Sequence, residues 1–457
     1  MGLKERGALP RTFVLTCGRQ AGSPSVFRTA RPGKEWTFLL NKEIVLDNHL
    51  TVVYEQLPHL NSVAFGVWIG AGSRNEDAGN NGISHFIEHM VFKGTQKRSA
   101  RDIACEADQI GGQINAFTGK DCTCYYIKTL EKDMETALDI LSDMLFHSTF
   151  EERNIETERR VVLEEISMYE DDPEEMVHDL LTESIYREGP LGMPILGTPQ
   201  SLEGLNKKLI TEYMDAYYTP DNAVISVVGN FDEERLKVLL NKYFGSWKPV
   251  GSCPLVASPS LFLPGYYPKY KETEQTHICL GFRGLTMGDE NIYPMMVLNG
   301  ILGGGMSSRL FQNIREEKGL AYSIYSVPTS FRDVGLFSIY AASGPELTEE
   351  VIGLIGDEIH GLLRGGVSSL EVERSKKQLQ GNFLLGLDST SGRMSSLGKS
   401  QIITGRVRSH DEILKLIDDV TPDKIMEVAR ILFEGKYMAA ALIGDAKVDA
   451  SLLDSLR

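Results

Sequence analysis

From Ile44 onward the chain alternates apolar and polar residues in short, regular runs. IVLDNHLTVVYEQLP (44–58) carries two such runs around Asp47-Asn48-His49, which predicts two short strands joined by a hairpin-type turn. SVAFGVWIGAGSRNED (62–77) predicts a third strand running into a glycine-rich loop. The period then lengthens to that of a helix over 82–92 and 99–111. QINAFTGKDCTCYYIKTL (113–130) predicts two more strands, and EKDMETALDILSDMLF (131–146) an amphipathic helix. ERNIETERRVVLEEISMYEDDPEEM (152–176) continues as helix until Asp172-Pro173, where proline disfavours helical backbone in the residue before it.

The same order then returns. HICLGFRG (277–284) echoes VAFGVWIG (63–70) at a spacing of 214, and AALIG (440–444) echoes ISVVG (225–229) at a spacing of 215. LAYSIYSVPTSF and GLFSIYAASG stand where INAFTG and CTCYYIKTL stood. A period of about 210 residues is too long for a solenoid and predicts an α+β fold of two homologous halves. Each half is expected to be an antiparallel-rich sheet with helices packed on it. A proline-rich stretch from Pro249 to Pro268 predicts a linker. The expected organisation is a basic extension (1–40), a first half (41–248), the linker (249–270) and a second half (271–457).

Composition narrows the function classes. At 457 residues the chain needs more than one core. No apolar run approaches the ~18 residues of a membrane span. The formal net charge is −16, yet residues 1–36 carry seven basic against two acidic side chains, so the remainder stands near −21. An acidic body disfavours nucleic acid and attracts basic ligands or peptides, although a solvated acidic surface also serves solubility. Six cysteines without a CxxC pair fit reduced thiols in a cytosol-like compartment. The basic, acid-poor first 36 residues loosely resemble a transit segment and lack a secretory apolar region, and a disordered extension with no address is the preferred expectation for 1–40. Cytoplasm is therefore expected, with the mitochondrial matrix as the alternative.

The chemistry is concentrated in NGISHFIEHMVFKGT (81–95). With Ser84 as N-cap, His85, Glu88 and His89 share one helical face, while Phe86, Ile87, Met90 and Val91 take the buried side. Two imidazoles one turn apart can hold zinc and leave room for a third ligand and a water, with a carboxylate at hand for that water's proton. The third ligand should come from the acidic helix at 152–170. There Glu158 and Glu165 stand two turns apart on one face and Glu164 points elsewhere. The residues alone leave all three open. The second half has LNGILGGG (298–305) in place of the cluster. His49, His59, His147, His178, His277, His360 and His410 show no comparable grouping and read as core or surface residues.

HxxEH is the inverzincin signature. HFIEHMVFKGTQKRS resembles the active-site helix of the M16 metallopeptidases, in particular the M16B branch of bacterial processing-peptidase-like proteins and the mitochondrial processing peptidase β subunit. The resemblance runs from about residue 41 to 450 and includes the duplication. It implies a zinc-dependent endopeptidase with one zinc ion per chain. In that family a liganding glutamate follows the second histidine by about 76 residues, which selects Glu165 to join His85 and His89. Glu88 becomes the catalytic base and Glu158 a helper carboxylate seven residues before the ligand. From FQNIREEKGLAYS the resemblance takes Arg315 and Tyr322 as residues that reach the substrate from the second half. From INAFT it takes Asn115, Ala116 and Phe117 as an edge strand that pairs with substrate backbone.

The implied architecture encloses a chamber for extended or unstructured peptides, basic or presequence-like ones among them. The short LGGGMSSR loop implies a homodimer. Two other functions stay open: a noncatalytic assembly or core-subunit homologue, and the catalytic half of a heterodimer. Neither nucleic acid nor a membrane span is implied. The chain departs from the family in its basic extension and in His49, which stands in a turn where glycine is usual.

Overall fold

The computed structural model describes residues 42–248 and 260–454. The extension 1–40, residues 249–259 of the expected linker, and Cys17 and Cys253 lie outside the described residues. Strands β1 (Lys42–Val45), β2 (Thr51–Gln56), β3 (Ser62–Ile69), β4 (Gln113–Thr118), β5 (Thr123–Leu130) and β6 (Ala223–Gly229) form one sheet in the order β1-β2-β6-β3-β5-β4. Strands β7 (Gly265–Tyr270), β8 (Thr276–Gly284), β9 (Ala321–Ser330), β10 (Gly335–Ser343) and β11 (Met438–Gly444) form a second in the order β7-β11-β8-β10-β9. Among the described residues only β2/β6 and β7/β11 pair in parallel, and these two pairs occupy matching places. β7 lies within the stretch expected as linker, and among the described residues β1 has no counterpart in the second sheet.

The duplication is therefore real, but its register differs by one residue from the spacing read along β3 and β8. The Gly70 amide donates to the Asn222 carbonyl (2.8 Å), and the Arg283 amide donates to that of Tyr437 (3.1 Å). These equivalent bonds set β6 against β11 at a spacing of 215 and β3 against β8 at 213. A spacing of 214 would exchange strand faces. It would put core-facing Phe65 opposite Cys279, which faces the other way.

Helices of the first half are α1 (Ile83–Met90), α2 (Ala100–Gln109), α3 (Met134–His147), α4 (Glu152–Glu170), α5 (Pro173–Ile185), α6 (Pro199–Gly204), α7 (Lys207–Tyr217) and α8 (Glu233–Phe244). Those of the second are α9 (Ile292–Leu302), α10 (Thr348–Gly365), α11 (Ser369–Gly386), α12 (Thr390–Thr404), α13 (His410–Asp418), α14 (Pro422–Phe433) and α15 (Ala450–Asp454). The break between α4 and α5 falls where the sequence predicts it: Asp172 caps α5, accepting from the Glu174 amide at 3.1 Å, with Pro173 in the first turn. His49 takes φ 71°, the left-handed conformation that glycine adopts without strain.

Each sheet buries one face under its own helices. Phe65, Val67 and Ile225 pack with Phe86, Leu138 and Leu141, while Ile278, Leu280 and Ile339 pack with Leu298, Ile352 and Val428. On the other faces the halves exchange helices. Val177, Leu181 and Ile185 of α5 lie on Cys279, Leu336 and Ala441 of the second sheet. Met394 and Leu397 of α12 lie on Ala64, Trp68 and Val224 of the first. The fit under α12 is close, since a Cβ on Gly398 would stand 1.9 Å from Trp68 Nε1. Two ion-pair groups fasten the exchange. Buried Arg74 reaches Asp121 (2.6 Å) and Asp333 (2.7 Å), and Arg393 reaches Glu55 (2.5 Å).

Candidate metal centre

α1 is only eight residues long, so its start decides where its side chains point. Gly82 turns the chain with φ 92°, and a Cβ there would meet Gly197 Cα at 2.8 Å. Ser84 is not the cap. It sits inside the helix with its hydroxyl 2.9 Å from Tyr213 Oη. The buried carboxylate of Glu76 does the capping. It accepts from the amides of Gly82 (2.7 Å) and Ser84 (2.9 Å) and from Asn81 Nδ2 (2.9 Å). An anion delivered from the preceding loop satisfies first-turn N–H groups as well as a local hydroxyl does. Burial pushes the Glu76 pKa up to about 7, against the lowering effect of those hydrogen bonds.

From this start His85, Glu88 and His89 project together, with Phe86, Ile87, Met90 and Val91 buried behind them as the period predicts. The two imidazole centroids are 4.5 Å apart. α4 brings Glu165 alongside, with Oε2 3.8 Å from His85 Nε2 and 3.7 Å from His89 Nε2. Among the described residues these three form the only group of His, Cys, Asp or Glu able to share an ion, with ligand atoms all within 4.8 Å. A tetrahedral zinc with bonds of about 2.0–2.2 Å spaces its ligands about 3.3–3.6 Å apart, so the group stands slightly open of that geometry. Two imidazoles and one carboxylate, with a coordination position left over, match the donor set of a catalytic zinc.

The surrounding carboxylates are distinct in role. Glu158 is buried, 2.8 Å from His89 Nδ1 and 2.6 Å from Lys93 Nζ. Burial opposes its charge, but those two hydrogen bonds outweigh burial and hold its pKa below the usual range. For His89, burial is likewise outweighed, here by the Glu158 bond and the Glu165 charge, and its pKa rises. Burial, then the neighbouring His89, pushes the His85 pKa down to about 3, so that ring stays neutral. Burial raises the pKa of Glu88, which accepts a 2.6 Å bond from Thr118 Oγ1. Glu164 faces solvent.

Thr118 ends β4, which among the described residues pairs only with β5 and so stands at the edge of the sheet. Along it Asn115 and Phe117 are exposed and Ala116 is buried. Arg315 and Tyr322 come together in the second half, the guanidinium 5.3 Å over the phenol ring, which is 74% exposed. Among the described residues no hydrogen bond or ion pair joins them to His85, Glu88, His89 or Glu165.

Thr118, Lys93 and Glu76 were not singled out from the sequence, although Thr118 directly follows the Asn115–Phe117 segment. Nor was the acidic face of α5. Asp172, Glu175, Asp179 and Glu183 recur at three- and four-residue steps, a spacing that could have marked it. The charges of this face reach the end of the helix that carries Glu165. Burial first, then Glu175, Glu165, Asp179 and Asp172, push up the pKa of Tyr169 at the end of α4. Burial lowers the pKa of Lys120, in the β4–β5 turn, against the charges of Asp179, Glu183 and Glu76.

Two family models match in tandem: insulinase (peptidase family M16) over residues 51–199 and the peptidase M16 inactive domain over 204–379. The uncharacterized zinc protease YmxG of Bacillus subtilis is 47% identical over 402 residues, 88% of this chain and 98% of that protein. An uncharacterized zinc protease of Streptomyces coelicolor is 38% identical over 455 residues, covering 97% and 94%. Among solved structures, a protease from Helicobacter pylori superimposes with a TM-score of 0.81 at 23% identity, covering 89% of this chain and 100% of that one. The peptidase M16 inactive domain from Pseudomonas fluorescens gives 0.83 at 18%, covering 90% and 98%. The fold is shared at these low identities, and with near full-length relatives at far higher identity the chain belongs to peptidase family M16.

Proposed function

We propose that the chain is a zinc-dependent endopeptidase that cleaves extended peptides, with a preference for basic side chains near the cut. The observation that supports this reading is the Thr118–Glu88 hydrogen bond, since it ties the carboxylate read as the base to the end of strand β4, and the same helix α1 carries two members of the His/His/Glu group. His85, His89 and Glu165 would hold one zinc ion. When bound, that ion supplies a Lewis acid and a water acidified toward neutral pH. Glu88 takes the proton of the attacking water and returns it to the leaving amine. Glu158 orients His89 through Nδ1. The peptide adds to β4 as a further strand along Asn115, Ala116 and Phe117, giving backbone recognition with loose sequence demands. Arg315 and Tyr322 contact it from the second half, Tyr322 as a donor to the developing oxyanion.

The acidic face of α5 supports the basic preference, since the charges of Glu175 and Asp179 act together with that of Glu165 on Tyr169. Substrate is enclosed between the halves, which excludes folded proteins. The short LGGGMSSR loop keeps a homodimer as the assembly of this reading, and light scattering on the purified chain tests it. The free thiols of Cys105, Cys122, Cys124 and Cys279 fit a reducing compartment such as the cytoplasm. Among the described residues no helix is long and apolar enough to cross a membrane. The decisive experiment is Glu88→Gln, assayed for zinc content and for cleavage of a quenched peptide library. Zinc retained with cleavage abolished is the expected result, and normal turnover would sink the assignment.

A further inference from the structure

Helix α5 belongs to the first half by sequence but lies on the second sheet, and its two faces do different things. One face carries Asp172, Glu175, Asp179 and Glu183, and the charges of the first three act with that of Glu165 on Tyr169 at the end of α4. The other sets Val177, Leu181 and Ile185 on the second sheet. Apolar contact is non-directional, so by itself it defines the helix's position along the sheet poorly. Rotation by one residue, about 100°, would turn the carboxylates away.

A polar hub sits in the middle of this apolar contact. Tyr325 Oη donates to Glu174 Oε1 at 2.9 Å and lies 2.9 Å from His178 Nε2. His178 Nδ1 lies 3.4 Å from Cys279 Sγ. A phenol has one proton, and here it goes to Glu174. His178 must then donate from Nε2 to the Tyr325 oxygen and accept at Nδ1 from the Cys279 thiol. Cys279, His178, Tyr325 and Glu174 thus form one directed chain with each donor used. Burial pushes the His178 pKa down to about 4, which keeps the imidazole in the neutral form this chain requires. The ring also lies near-parallel to Tyr325 (6.0 Å, 20°) and to Tyr340 (5.4 Å, 28°), whose own rings are 4.9 Å apart, and Tyr340 Oη lies 2.8 Å from His277 Nδ1. Strands β8, β9 and β10 supply all the partners, so the second half holds α5 at one defined point.

We propose that His178 is a positioning residue for substrate selection: through this hub the second half registers α5 so that Glu175 and Asp179 face the bound peptide. The inference rests on the reading of the chain as a peptidase that favours basic side chains. It goes beyond that reading by giving the non-metal half a role in selectivity that is independent of Arg315 and Tyr322.

The test compares zinc-loaded full-length wild type, His178→Phe and Tyr325→Phe on paired peptides that differ only by arginine or citrulline at one position. The readouts are kcat/KM for each peptide and zinc content. In His178→Phe the arginine-over-citrulline ratio should fall about fivefold, the scale of one lost buried hydrogen bond, with citrulline cleavage and zinc content unchanged. Tyr325→Phe keeps the ring stack and removes only the hydroxyl between His178 and Glu174. It should show the same fall, and it carries the test if His178→Phe does not fold. A merely structural role would lower the active fraction and scale both peptides alike. An unchanged ratio in the zinc-loaded variants overturns the proposal. A wild type that does not discriminate the two peptides overturns instead the basic preference on which it rests.

Discussion

Removal of the Glu158 carboxylate is the most quantitative probe of the centre. The group is 4% exposed, bonded to His89 Nδ1 at 2.8 Å and to Lys93 Nζ at 2.6 Å. A hydrogen bond to a charged partner contributes about 1.5–3 kcal/mol, and burial leaves little solvent to screen it. If His89 binds zinc through Nε2, that energy appears in zinc affinity as about 10- to 150-fold. This agrees with the 10- to 100-fold range usual for partners that orient a metal-binding histidine. Glu158→Ala should lie near the upper end, about 100-fold, because Nδ1 loses its acceptor outright. Glu158→Gln should lie near about tenfold, since an amide oxygen can still accept from Nδ1–H while Lys93, 35% exposed, swings into water. Chelator competition at pH 7 measures both affinities, and cleavage at saturating zinc separates binding from chemistry. A Glu158→Ala protein that binds zinc within about twofold of wild type would refute the reasoning, because His89 would not depend on its carboxylate partner.

Three other outcomes are expected. Glu175→Gln with Asp179→Asn should erase the preference for arginine over citrulline peptides while leaving citrulline turnover intact; a preserved preference would remove α5 from the substrate path. Gly398→Ala drives a methyl against the Trp68 indole and should cost about 1–3 kcal/mol, read as a lower melting temperature; no change would mean the α12 contact yields freely. Glu371 has its pKa lowered to about 2, where burial opposes the charge but the Arg309 fork (2.7 and 3.1 Å) and the Ser368 cap outweigh it. A depressed carboxyl stabilises above its unfolded pKa of about 4.5 and loses that effect as pH falls toward 2. Glu371→Gln should therefore cost about 1–2 kcal/mol at pH 7, after discounting for its partial exposure, and almost nothing near pH 2. An equal loss at both pH values in thermal unfolding would contradict the assignment.

Much of the fold was legible because it is local. Alternating runs marked β2, β3, β4 and β5, and helical period marked α1, α3 and α4, with the buried face of α1 correct. Repetition of the same element order marked the two halves. Boundary details failed where a distant group intervened. Ser84 had the chemistry of a cap, but Glu76 arrives from outside the helix and takes that place. The 214 spacing followed matching letters, whereas the hydrogen-bonded register obeys strand faces and gives 213.

By itself the sequence determined the content of the centre: two imidazoles and a carboxylate on one face of α1, because residues three and four apart in a helix must lie together. It also narrowed the third ligand to α4, without choosing among that helix's glutamates until family resemblance was added. Tertiary structure alone decided which glutamate touches which nitrogen, that Thr118 holds Glu88, and that α5 and α12 change sides. Those contacts join residues 30 to 338 positions apart. Their geometry depends on how sheets and helices pack against one another, which no local periodicity encodes. The hub around His178 is the clearest case, since Glu174, Cys279 and Tyr325 meet only once α5 has crossed to the second sheet.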